Sequence, residues 1–288
     1  MSRLGAGVPR EKRTPSILGV AFRTWSAKTS LAIILAMVTL AVGADWIAPH
    51  DPMKAAFTPF LPPCREHPFG TDDLGRDVLS RTIHGSRVSL LVGVMSAIMA
   101  IVIGTIIGLA SGYFGGPLDH VLMRVTDTFQ VIPRIVLATV FVAFFGPSIW
   151  NIIFVIGILS WPRTARTVRS LTLSLKESLF VEAARAMGAG DLAIIARHIL
   201  PNVAPVISVL IGYETAIAIL LEAGLGFLGL SDPTMVSWGK VIYDGQRYFL
   251  RGWWIPIFPG LFLSALIVSL NALTDSISTA LNPKLRLR

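Results

Sequence analysis

The 288-residue chain is 53 % hydrophobic and only 15 % charged, against about 25 % charged in an ordinary soluble domain, and its mean hydropathy is +0.68. That composition excludes a disordered chain, which lacks abundant Ile, Leu, Val and Phe, and argues against an ordinary cytosolic enzyme, which needs more surface charge. A net charge of +8 in so apolar a chain reads as membrane topology rather than nucleic-acid binding, and the single cysteine, Cys64, allows no internal disulfide.

The expected fold class is therefore all-α and polytopic. A helix needs about 20 mostly apolar residues to cross the hydrocarbon core, and six segments qualify in chain order: 31–48, 88–112, 121–145, 148–161, 203–223 and 255–277. Lys and Arg fix the orientation. The tail before the first segment holds six, the loop between the fourth and fifth another six, and the last five residues three; these 15 fall on one side. The other side receives eight, in 53–87 and 240–251. The excess places both termini and the 163–202 loop in the cytoplasm. The first segment could also read as a signal peptide cleaved near Val42-Gly43-Ala44; a retained helix running into Asp45-Trp46 is preferred. Trp46, Trp150, Trp253 and Trp254 near the outer boundaries, and Trp25 and Trp161 near the inner ones, read as an interfacial aromatic belt.

Polar features inside these segments are few. Gly104, Gly108 and Gly112 form overlapping GxxxG units, expected to bring two helix backbones together within the subunit or against a partner. Arg124, Asp127 and Gln130 share a face of the third segment, followed by a kink at Pro133. An Arg–Asp pair near the inner headgroups is the plainer reading, and a transport pathway the alternative. Glu214 sits at mid-depth of the fifth segment, where a carboxylate is costly. It reads equally as a pathway-lining group or as a structural hydrogen bond across a subunit contact. Glu222 falls at that segment's outer end, and Asp275 near the inner boundary of the sixth.

Several chemistries lack their residues. There is no G-x-x-x-x-G-K-[ST] phosphate loop, no H-E-x-x-H, no CxxC and no Gly-x-Ser-x-Gly. The five histidines are scattered. Three of them, His50, His67 and His84, share the first outer segment with Asp51, Glu66, Asp72, Asp73 and Asp77, but without metal-ligand spacing, so they read as solvated polar residues. No catalytic site, metal or cofactor is expected.

The 176–202 segment stands apart. Phe180, Ala183, Ala184 and Met187 are spaced along one face of a short helix, with Glu182 and Arg185 on the other. Gly188 and Gly190 are placed to end it, Asp191 to cap the next helix, and Pro201 and Pro205 to shape entry into the fifth span. Amphipathicity alone leaves two readings: a helix resting on headgroups, or a docking knob for a cytoplasmic partner.

Glu182-Ala183-Ala184, Gly188 and Leu200-Pro201 resemble the EAA–glycine–LP loop of permease subunits of binding-protein-dependent ABC importers. The stretches HPFGTDDLGRDVLSRTIHGSRVSL (67–90), LEAGLGFLGL (221–230) with Pro233 and Ser237-Trp238-Gly239, and Trp253-Trp254, Pro259-Gly260, Asn271, Asp275 and Leu281-x-Pro283 are similar to the C-type subunit of the peptide/nickel branch. The resemblance covers about residues 30–285. Its departures are His198, where many members have an aliphatic residue, Thr274-Asp275 and Ile277-Ser278-Thr279 near the C-terminus, and Glu214, which falls outside the pattern.

The resemblance implies a cytoplasmic tail (1–29), a transmembrane domain (30–285) and a short final tail (286–288). Within the domain, 49–87 and 224–254 would be outer segments and 163–202 the coupling loop. Glu182, Ala183, Ala184, Arg185, Gly188 and Pro201 would couple to the ATPase, with Glu214 and Asp127 lining the pathway. The implied partners are a homologous second permease, two ATP-binding subunits or one fused ATPase, and an extracytoplasmic substrate-binding protein, all in the lipid of the cell inner membrane and without nucleic acid. Peptides are the implied cargo, with nickel or another small solute as alternatives. The rival from another class is a proton-coupled secondary transporter using Glu214 and Asp127 as relays. It predicts internal repeats, and the two halves show no convincing similarity.

Overall fold

The computed structural model describes residues 24–281; the two terminal tails, with most of the N-terminal basic residues and with Pro283, Lys284, Arg286 and Arg288, lie outside the described residues. The helices are α1 (Trp25–Val42), α2 (Ala44–Ile47), α3 (Val78–Phe114), α4 (Gly116–Val131), α5 (Arg134–Phe145), α6 (Ile149–Lys176), α7 (Leu179–Ala186), α8 (Asp191–Ile194), α9 (Leu200–Phe227), α10 (Trp238–Gln246) and α11 (Trp254–Leu281). Among the described residues there is no strand, only a bridge between Thr71 and Asp77.

Four segments are long and apolar enough to cross a bilayer: α1, α3, the run from α8 through α9, and α11. Helices α4 and α5, bent by 82° at Ile132–Pro133, make a fifth if they form one span. This is fewer than the six expected. The 148–161 segment is only the first half of α6, which continues through Pro162 into Arg163, Arg166, Arg169 and Lys176. Its charged second half keeps the helix as a whole from standing out by composition.

Helix α3 has 37 residues and is about 55 Å long. It begins ten residues before the expected boundary because Asp77 caps it, accepting from the Ser80 amide at 2.8 Å. Its glycine stripe is used within the subunit, against α6. A Cβ at Gly104 would lie 2.7 Å from the Trp161 carbonyl oxygen, and one at Gly108 2.6 Å from that of Ala165. Ile98, Val102 and Ile106, four residues apart, form an exposed apolar stripe on α3, suited to lipid. Helix α1 packs on α3 and α11, and Arg87 of α3 donates to the Ala41 and Val42 carbonyls that end it.

The first outer segment departs from expectation. Asp51 and Glu66 are exposed as expected, but His67, Asp72, Arg76, Asp77 and Arg81 are all buried. Asp72 Oδ2 accepts from Arg76 Nε at 2.6 Å and Arg81 Nη1 at 2.5 Å. Asp244 Oδ2 of α10 accepts from Arg81 Nη2 at 2.7 Å and Arg76 Nη2 at 3.2 Å. The 49–87 and 224–254 segments are thereby locked together by charge-assisted bonds. His50, His67 and Asp77 also bring potential ligand atoms within 4.8 Å of one another, a proximity invisible in their spacing. Both Asp77 oxygens are already engaged, one by His67 Nδ1 at 2.9 Å and the other by Ser80.

The tryptophans expected as an interfacial belt divide by exposure. Trp25, Trp46, Trp150 and Trp253 are exposed, but Trp161 and Trp254 are buried. Trp254 Nε1 donates to the Thr71 carbonyl at 3.0 Å, making it a core residue of the outer segment rather than an anchor.

Candidate functional site

Helix α7 is a two-faced elbow. Val181 and Ala184 are buried in a cluster with Leu109 and Tyr113 of α3, Val168 of α6, Ile194 and Ile199. Leu179 (82 % exposed), Phe180, Met187 (81 % exposed) and, beyond the turn, Leu192 are uncovered, as are Ala183, Glu182 and Arg185. The expected apolar face therefore exists, except that Ala184 belongs to the opposite, inward face with Val181. Valine and alanine let the helix seat closely while the larger apolar side chains point away. An uncovered apolar patch of this kind marks an interaction surface.

The turn after α7 depends on Gly188, whose φ is +83°, a region that L side chains rarely adopt. The Gly188 amide donates to the Arg185 carbonyl, and the Ala189 amide to that of Ala184. A Cβ at Gly188 would meet nothing within 4 Å, so the glycine answers to backbone conformation and not to space. Gly190 does not share that role; its φ is −72° and it is itself the N-cap of α8. Asp191, expected as the cap, instead accepts from the Tyr113 hydroxyl at 2.7 Å.

A π-helical turn, Ile195–Ile199, joins α8 to α9. Pro201 sits in the first turn of α9, where it has no amide to donate back along the chain. Asn202 Nδ2 donates to the His198 carbonyl at 2.6 Å, four residues back along the chain. Pi-turns inside helices frequently mark functional positions, and this one lies between the elbow and α9.

The two expected pathway residues each stand against a different arginine. Asp127 pairs with Arg166 Nη2 of α6 at 2.5 Å, not with Arg124 as the spacing suggested, and both partners are exposed. Glu214 is 1 % exposed and makes no hydrogen bond through either carboxylate oxygen; its ion pair is Arg134 Nη1, 3.8 Å from Oε2. Glu222, expected at a boundary, is buried and accepts from Ser89 Oγ at 3.0 Å. Asp275 accepts from the Tyr213 hydroxyl.

Residues 88–287 match the family model described as binding-protein-dependent transport system inner membrane component. The chain belongs to that family. A putative peptide transport system permease protein of Brucella suis biovar 1 is 38 % identical over 92 % of this chain and 90 % of the relative. The dipeptide transport system permease protein DppC of Bacillus subtilis is 37 % identical over 90 % and 82 %. The oligopeptide transport system permease protein OppC of Haemophilus influenzae is 38 % identical over 91 % and 86 %. Among solved structures, a chain of the inward-facing MetNI methionine ABC transporter has a TM-score of 0.61 at 19 % identity, over 71 % of this chain and 98 % of that one, a likeness of fold.

In this inner membrane component, sequence spacing missed several positioning groups. Asp232 Oδ2 accepts from the Ile149 amide at 3.1 Å, capping α6 from 83 residues away. Lys240 Nζ donates to the Asp232, Pro233 and Met235 carbonyls, and burial lowers its pKa. Burial, with the neighbouring Asp72 charge, raises that of Asp73. No local motif announces contacts made across loops of this length.

Proposed function

We propose that this chain forms one half of the channel of an ATP-driven importer that carries peptides across the cytoplasmic membrane, with α7 as the element that receives the ATPase. The observation that carries this reading is the elbow: an uncovered apolar face (Leu179, Phe180, Met187) on a helix whose other face is seated on α3 and α6. The names of the relatives, peptide, dipeptide and oligopeptide permeases, support the cargo.

In this reading the bent α4–α5 pair and α6 complete six spans, both termini are cytoplasmic, and α1 is retained. A second, homologous permease supplies the other half of the channel. Glu182, Ala183, Arg185 and Met187 face the ATPase groove, while Ala184, Gly188 and Pro201 fix the elbow's seat, turn and exit. A substrate-binding protein docks on the outer segments around 53–87 and 224–254. Closure of the ATPases moves α7 as a rigid lever, and the π-turn into α9 passes that motion to the spans. Both channel states must be packed arrangements within a few kcal/mol of each other, so that partner binding can shift their populations.

The test is a photo-crosslinking amino acid at position 187 in the assembled importer. An adduct with a Walker-motif ATPase is expected; adducts to phospholipid alone would overturn the assignment.

A further inference from the structure

The 82° bend between α4 and α5 opens a cavity of about 500 Å³, within the range of about 300–1,000 Å³ usual for small-molecule sites. Its walls include Gln130, Pro133 and Arg134 from the break and Arg163, Arg166 and Thr167 from α6, with three guanidiniums and no carboxylate among the lining residues.

These arginines are incompletely neutralised. Arg166 is paired with Asp127. Arg163 stacks over the Tyr213 ring at 5.3 Å and has no ion pair among the described residues. Arg134 stands 3.8 Å from Glu214, too far for a hydrogen bond. A buried carboxylate thus holds Arg134 at the cavity without using its donors. Three guanidiniums against two carboxylates, Asp127 and Glu214, leave an excess of positive charge that draws an anion, and their planar fork suits a carboxylate.

We propose that this cavity is a carboxylate-binding stop on the translocation path, taking the C-terminal carboxylate of the transported peptide on Arg134 and Arg163, with Arg166 at its wall. The assignment rests on the importer reading above, under which an α-carboxylate is the one anion every unmodified peptide carries. A lipid phosphate is the competing occupant. The phosphatidylglycerol arm of the experiment below separates the two.

The test uses the complete importer in proteoliposomes, with trialanine and trialanine amide as cargo and the same binding protein throughout. Arg134→Gln and Arg163→Gln are expected to lower the preference for trialanine over its amide by roughly tenfold, the scale of one lost charged hydrogen bond. Arg134→Lys should restore part of it. Because the binding protein is unchanged, the altered preference belongs to the permease. An unchanged preference overturns the proposal, and so does an equal fall in uptake of both peptides, which would mark a structural role. Wild-type uptake that depends on added phosphatidylglycerol, with Gln variants indifferent to it, assigns the arginines to lipid and also overturns it. Wild-type uptake of neither peptide would remove the peptide-importer reading and this assignment with it.

Discussion

The Tyr113 hydroxyl near the end of α3 donates to Asp191 Oδ1 at the start of α8, 2.7 Å away and 78 residues on in the chain. This bond, beside the Val181–Ala184 face, makes the elbow an extension of α3 and not a free loop. Tyr113→Phe should keep the packing and lose the bond, costing about 1–2 kcal/mol. A lowered thermal midpoint, with faster amide exchange confined to 179–194, is the expected result; unchanged exchange would show that apolar seating alone holds the elbow.

Gly188→Val forces a β-branched residue into a left-handed backbone at a cost of about 1–2 kcal/mol or more, with no side-chain clash to obscure the effect. Glu182→Lys reverses a charge on the exposed face of α7. Both variants should insert normally yet hydrolyse ATP with little peptide uptake. Wild-type uptake by both would remove the lever from the mechanism.

Asp72→Ala leaves Arg81, itself without exposed side-chain surface, short of its 2.5 Å partner. Breaking a buried pair from one side costs about 3–5 kcal/mol. The loss should appear in thermal unfolding of the purified permease and as weakened contact between the 53–87 and 224–254 segments in crosslinking.

Gly108→Leu would press a side chain into the α3–α6 contact, where a Cβ alone would lie 2.6 Å from the Ala165 carbonyl oxygen. Overpacking of this sort costs about 1–3 kcal/mol or more, to be read as a lowered thermal midpoint. The control lies on the exposed stripe of the same helix: Val102→Leu should leave stability within about 0.5 kcal/mol of wild type. Equal losses in the two variants would mean that the glycine stripe is not the tight contact.

Asp73 offers a pH test. Burial and the Asp72 charge raise its pKa in the folded chain. Its ionised form is therefore a penalty, present in full above that raised value and relieved as pH falls through it toward the unfolded-chain value. Asp73→Asn should stabilise the protein at pH 7, and its advantage should shrink toward about pH 3.5. An advantage independent of pH would trace to hydrogen bonding instead of charge.

That the chain is helical and membrane-spanning was legible from the residues alone, because hydrophobic length answers to the bilayer segment by segment. The glycine stripe, the Pro133 break and the Gly188 turn were legible too, since each is a local backbone constraint. Where the charges meet was not: Arg81 with Asp72 and Asp244, Asp127 with Arg166 in place of Arg124, and Glu214 with Arg134 came only from the folded arrangement. Those pairs join separate helices or segments, and helical periodicity carries no information about which distant face a side chain will find. The burial of Trp161 and Trp254 was hidden for the same reason, since a boundary tryptophan reads alike whether it turns to lipid or into the fold.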